Sequence, residues 1–91
     1  MKVRITKVAL AELRDIHAYI AKNNPAAANA VIEQVERVVG VISTFPGIAR
    51  PINKRGLYMF PALPFPYLIF YTVGKREVII RNVRHAGRMR P

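Results

Sequence analysis

Apolar and basic residues alternate at the start of the chain. In KVRIT, residues 2–6, Val3 and Ile5 fall on one side and Lys2 and Arg4 on the other. That two-residue period predicts a short strand with Val3 and Ile5 inward. From Val8 the period lengthens: Ala9, Leu13, Ile16 and Ile20 are spaced four, three and four, an apolar stripe on a helix whose wet side carries Glu12, Arg14, Asp15 and Lys22. KNNPAAAN ends this helix and begins another, because Asn24 is a good N-cap and Pro25 suits the first helical position. Val31, Val35, Val38 and Ile42 repeat the spacing, which predicts a helix over residues 25–44. So short a link makes the two an antiparallel hairpin.

FPGIARP stops the second helix, since two prolines and a glycine within seven residues do not continue it. The stretch that follows is rich in aromatic and branched residues, but Pro61, Pro64 and Pro66 interrupt its first half. Proline lacks a ladder donor, so residues 57–61 read as an edge strand and 62–66 as a bulged connection. YLIFYTV, residues 67–73, is uninterrupted and reads as the central strand; GKRE turns the chain and residues 77–84 return as another strand. The expected fold is α+β in the order βααβββ, a helical hairpin on one face of a mainly antiparallel sheet, forming a single domain over residues 1–91.

Charge adds a direction. Fifteen Lys and Arg against five acids give a net charge of +10, and residues 37–91 carry ten of the bases but only one of the acids. Such an imbalance points to nucleic acid, a phosphate-rich assembly or an acidic protein as partner. The absence of cysteine rules out a disulfide scaffold and thiolate metal sites. Charges at Lys7, Glu12, Arg14 and Asp15 break up any signal-peptide core, and no apolar run is long enough to span a bilayer, so the expected location is cytoplasmic.

Candidate chemistry is sparse. His17 lies beside the stripe of the first helix and reads as a packing or surface residue. His85 follows a strand end between Arg84 and Arg88, where it could transfer a proton near a phosphate or terminate the strand with a hydrogen bond. No acid or cysteine stands at ligand spacing from either histidine, so neither metal nor cofactor is expected. Ser43, the lone serine, has no evident base and suits a hydrogen bond at the end of its helix. Val39 and Val41 lie off the buried stripe, and that excess suggests a groove for another chain.

The βααβββ order, the NP between the helices, and then FPGIARP, GLYMFP, YLIFYTV and IIRNVRHAGR resemble the RelE/ParE superfamily of type II toxin–antitoxin toxins, nearest to the ParE branch. The resemblance spans essentially the whole chain. RelE-like members are ribosome-dependent mRNA endoribonucleases that use strand lysines, a central-strand arginine and C-terminal basic and tyrosine groups. Those positions fall on or near Met59, Pro61 and Leu68 here, and no tyrosine follows Tyr71, which leaves His85 and Arg88 as the catalytic alternative. The ParE branch implies inhibition of DNA gyrase without chemistry of its own, and neutralisation by a cognate acidic, ParD-like antitoxin in a hetero-oligomer. On that reading Arg81, Arg84, His85, Arg88 and Arg90 are expected to engage the target, and Val31, Val35, Val39 and Tyr58 the antitoxin.

Overall fold

A computed structural model describes residues 1–88. Strand β1, Lys2–Ile5, leads into helices α1, Lys7–Ala21, and α2, Pro25–Thr44; strands β2, Tyr58–Pro61, β3, Tyr67–Val73, and β4, Glu77–His85, follow, and a 3₁₀ turn covers Ala86–Arg88. The sheet order is β1-β4-β3-β2. β1 runs parallel to β4, whereas β4–β3 and β3–β2 are antiparallel. The expected α+β class and element order hold, and β3 is an inner strand as its unbroken apolar run predicts.

Each boundary has a local cause. Thr6 caps α1, its hydroxyl accepting from the Ala9 amide at 3.1 Å while donating to the Arg81 carbonyl at 3.1 Å. One side chain thus ends β1, starts α1 and ties both to β4. Asn24 caps α2 by accepting from the Ala27 amide at 3.0 Å, with Pro25 in the first turn. At the other end Ser43 and Thr44 both donate to the Gly40 carbonyl, the role expected for Ser43. Beyond it, residues 51–57 double back: Ile52 N donates to Leu57 O, Asn53 Oδ1 accepts from the Arg55 and Leu57 amides, and Gly56 takes φ +76°, open to glycine without a Cβ penalty. Residues 62–66 are a hydrogen-bonded turn rather than the bulged connection expected there, closed by Ala62 N to Tyr67 O at 2.9 Å and containing a cis Leu63–Pro64 bond.

The bulge lies elsewhere. Tyr71 pairs with Ile80 and Phe70 with Asn82, so Arg81 is an extra residue on β4. Val78 and Ile80 before it, and Val83 after it, all belong to the core under the helices. That core joins Val31, Val35, Val38 and Ile42 of α2 to Ile69, Tyr71, Val78, Ile80 and Val83 of the sheet. Tyr71 is fully buried, yet its hydroxyl donates to the Pro46 carbonyl at 3.0 Å and pins the loop after α2 to the sheet.

The stripe of α2 is buried as its spacing predicts, but that of α1 is only partly covered. Val3 and Ile5 correct a second expectation. They pair with core residues Val78 and Ile80 and so lie on the helix side of the sheet, but stay 40% and 44% exposed. β1 is an edge strand, and α1 packs chiefly over its neighbour β4.

Candidate binding surfaces

Helix α1 separates two depressions. The first, about 370 Å³, opens between α1 and the C-terminal end of β4 and brings together Glu12, Asp15, Tyr19, Tyr67, Arg84 and His85. Past Ile5, β1 no longer covers the edge of β4, and a side chain from α1 takes over. Glu12 accepts from the Val83 amide at 3.1 Å and from Asn82 Nδ2 at 3.0 Å, and pairs with Arg84 Nε at 3.4 Å. A carboxylate with two lone-pair regions per oxygen meets all three donors. The same carboxylate fixes the strand end on which His85 stands.

His85 stacks edge-on against Tyr67 with ring centres 5.3 Å apart, and its Nδ1 accepts from the Gly87 amide at 3.0 Å. The second nitrogen of the neutral ring is then Nε2–H, a donor. A general base needs a free lone pair, so this arrangement equips His85 to donate a hydrogen bond or close the strand rather than to abstract a proton. Two carboxylates in the same cleft oppose an incoming phosphate. On the other face of the sheet, Pro61, Leu68 and Arg84 form one cross-strand row and Met59, Phe70 and Asn82 the next. The positions where a RelE-like ribonuclease would carry cations are therefore adjacent, and apolar.

The second depression, about 420 Å³, lies between the two helices and opens toward β1. Ile5, Leu10, Leu13, Ile32, Val35, Val39 and Ile80 line it, with Arg14, His17 and Glu36 on its rim. His17 Nε2 and Asn29 Oδ1, 2.9 Å apart, join the helices beside it. Leu10 is 41% exposed, so apolar surface is open to water at its mouth.

The expected contact residues do not form one surface. Val39 lines the groove and Val35, 2% exposed, is its floor; Val31, 4% exposed, belongs to the core. Tyr58 is on edge strand β2, stacked on Tyr71 with ring centres 5.2 Å apart. Arg81 is exposed at the bulge and donates to Thr72 Oγ1 at 3.1 Å; Arg84 reaches round the free edge to Glu12, and His85 faces the first cleft. Arg88 is placed by its backbone in the 3₁₀ turn, and Arg90 lies outside the described residues. Sequence reading missed Ile5, Leu10 and Ile32 as groove residues. Leu10 could have been found, since it precedes Leu13 by three and falls on the α2 side of the stripe.

The architecture, a helical hairpin over a four-stranded sheet, has a counterpart among solved structures. A solved chain of the chromosomal ParDE TA system from P. aeruginosa shares it with a TM-score of 0.81 over 93% of this chain and 95% of that one, at 20% identity. The sequence model described as the ParE toxin of type II toxin-antitoxin system, parDE, matches residues 3–90, and this chain belongs to that family. A protein of Sinorhizobium fredii (strain NBRC 101917 / NGR234) named "Putative toxin Y4kP" is 32% identical over 90 residues, covering 99% of this chain and 93% of the relative.

Proposed function

We propose that this ParE-family toxin inhibits DNA gyrase and so blocks replication in the cytoplasm, and that a cognate acidic, ParD-like antitoxin neutralises it in a hetero-oligomer. The observation that carries the choice of target is the apolar patch at Met59, Pro61 and Leu68, which leaves no cation beside Arg84 among the described side chains to stabilise a phosphorane. The His85 tautomer supports the same choice, since its available nitrogen is a donor. The groove between the helices supports the partner. Its apolar walls suit one face of an amphipathic helix, and the net charge of +10 favours an acidic chain.

The test uses purified protein, gyrase and relaxed plasmid. Loss of supercoiling, or cleaved DNA trapped by the toxin, is expected, and adding the antitoxin should restore supercoiling. Unimpaired supercoiling at excess toxin, together with codon-phased messenger cuts that vanish in His85→Ala, would overturn the gyrase target and favour ribosome-dependent RNA cleavage.

A further inference from the structure

The charge of this protein is distributed by structure as well as by sequence. Within residues 7–44, the helical hairpin, four bases balance four acids, so the whole excess of +10 belongs to the strands, their connections and the C-terminal segment. Register brings much of it to one end of the sheet. Lys2 pairs with Glu77, and its amide donates to the Arg76 carbonyl at 3.2 Å, which sets the start of β1 beside the β3–β4 turn. Tyr58 pairs with Tyr71, so the 51–57 loop, which precedes β2, projects from that same end. Lys2, Lys54, Arg55, Lys75 and Arg76 are gathered there, all exposed. None of their side chains has a partner among the described residues, and the nearby acid Glu77 is paired with Arg4 at 3.2 Å.

The backbones that present these cations are fixed in advance. Asn53 Oδ1 accepts from the amides of Arg55 and Leu57 at 2.9 and 3.1 Å, and Gly56 completes the loop in the left-handed region. Gly74 N donates to Glu77 O at 2.8 Å and closes the turn that carries Lys75 and Arg76. Preformed loops lose little freedom on binding, so their charge is available at low ordering cost. With strands ~4.8 Å apart, an end four strands wide spans ~14 Å. The major groove of B-form DNA is ~12 Å wide between its phosphate rows.

We propose that this end of the sheet is a docking site for the phosphate backbone of duplex DNA, with the 53–56 loop and the Lys2–Arg76 edge contacting phosphates on opposite sides of one groove. Binding is independent of base sequence. The one amide side chain on the 53–56 loop, Asn53, has its oxygen committed to its own backbone, and long cations alone do not read bases when they face phosphates. RNA offers the same phosphate chemistry, but the major groove of an A-form duplex is too narrow and deep to be spanned in this way. The site does not rest on the gyrase reading and would stand for a toxin with another target.

Fluorescence anisotropy with a short labelled DNA duplex tests this without gyrase. Five phosphate contacts predict a salt slope near −4.5, so affinity should fall about 500-fold between about 50 and 200 mM salt. Lys54→Gln combined with Arg55→Gln removes two contacts, and the fall should shrink to about 40-fold. Lys22→Gln with Arg37→Gln removes the same charge from the exposed side of the hairpin and should leave the slope at its parent value. An RNA duplex of the same length should bind more weakly at every salt concentration. Equal slopes for the two double variants would overturn the site, because binding would then follow net charge alone. RNA binding as tight as DNA binding would overturn the groove-spanning geometry, and no binding by the parent at low salt would overturn both.

Discussion

Glu12 is the most exacting test of how the strand end is held. Its carboxylate is the acceptor for the buried Val83 amide, for Asn82 Nδ2 and for Arg84 Nε, at the place where β1 has ended and β4 would otherwise present an open edge. Glu12→Ala removes all three. A buried amide left without an acceptor costs about 1–3 kcal/mol, and loss of the Asn82 bond about 1 kcal/mol more. The Arg84 pair adds little, since that side chain is 54% exposed and solvent screens it. The expected total is about 3 kcal/mol. Glu12→Gln keeps an oxygen for Val83 and Asn82 and should cost about 1 kcal/mol. For a domain of this size ~1 kcal/mol corresponds to ~4–8 °C in Tm, so the Ala variant should melt ~12–24 °C below the parent and the Gln variant ~4–8 °C below. Thermal melts followed by circular dichroism read both. An Ala variant melting within about 4 °C of the parent would refute the reasoning, because water would then satisfy Val83 without help from α1.

Three other outcomes follow from the same interior. Ile42 is fully buried, so Ile42→Ala should cost about 2–5 kcal/mol and Ile42→Val about 1 kcal/mol in urea unfolding; equal costs would mean the site collapses around the smaller side chain. Burial raises the Tyr71 hydroxyl above its ordinary value of 10.0, so the folded state holds this proton more tightly than the unfolded chain. Its contribution is complete below the ordinary tyrosine range and is lost as pH rises through the raised value, so stability should fall above about pH 10 and fall less in Tyr71→Phe; identical alkaline profiles would dismiss the linkage. Val39→Glu places a carboxylate in the apolar groove and should weaken antitoxin binding about 100-fold or more in a titration, with little change in Tm because Val39 is only partly buried. Unchanged affinity would move the antitoxin away from the groove.

The helical hairpin was fully legible in the sequence, because a four-three-four spacing bounded by Asn24-Pro25 and by FPG leaves one reading. The parallel pairing of β1 with β4 was not. A four-residue strand with alternating charge looks the same at either edge and in either direction. In the sequence Lys54 and Arg55 stand out only as members of a basic half; their meeting with Lys75 and Lys2 depends on strand register, which no local pattern contains. The contact residues Val31 and Val35 show a different limit. A valine on the buried stripe is committed to the fold first: Val31 belongs to the core, and Val35 reaches the groove only as its floor, whereas Leu10 and Val39 beside the stripe stay more open.

The extra residue on β4 acts as a change of phase. Upstream of Arg81 the even-numbered positions, Val78 and Ile80, meet the helices; downstream it is the odd ones, Val83 and His85. Excising Arg81 would join Ile80 to Asn82 and restore strict alternation with Val83 still toward the helices and Asn82 and Arg84 still on the far face, whereas flattening the bulge with Arg81 retained would turn Val83 to solvent. The bulge thus lets the strand carry one more residue without inverting its end: what must persist is the pairing of Phe70 with Asn82, and it survives either replacement or loss of Arg81. Family members that differ by a single residue between Ile80 and Val83 should be aligned with a gap there, or their basic and apolar positions will be assigned to the wrong face.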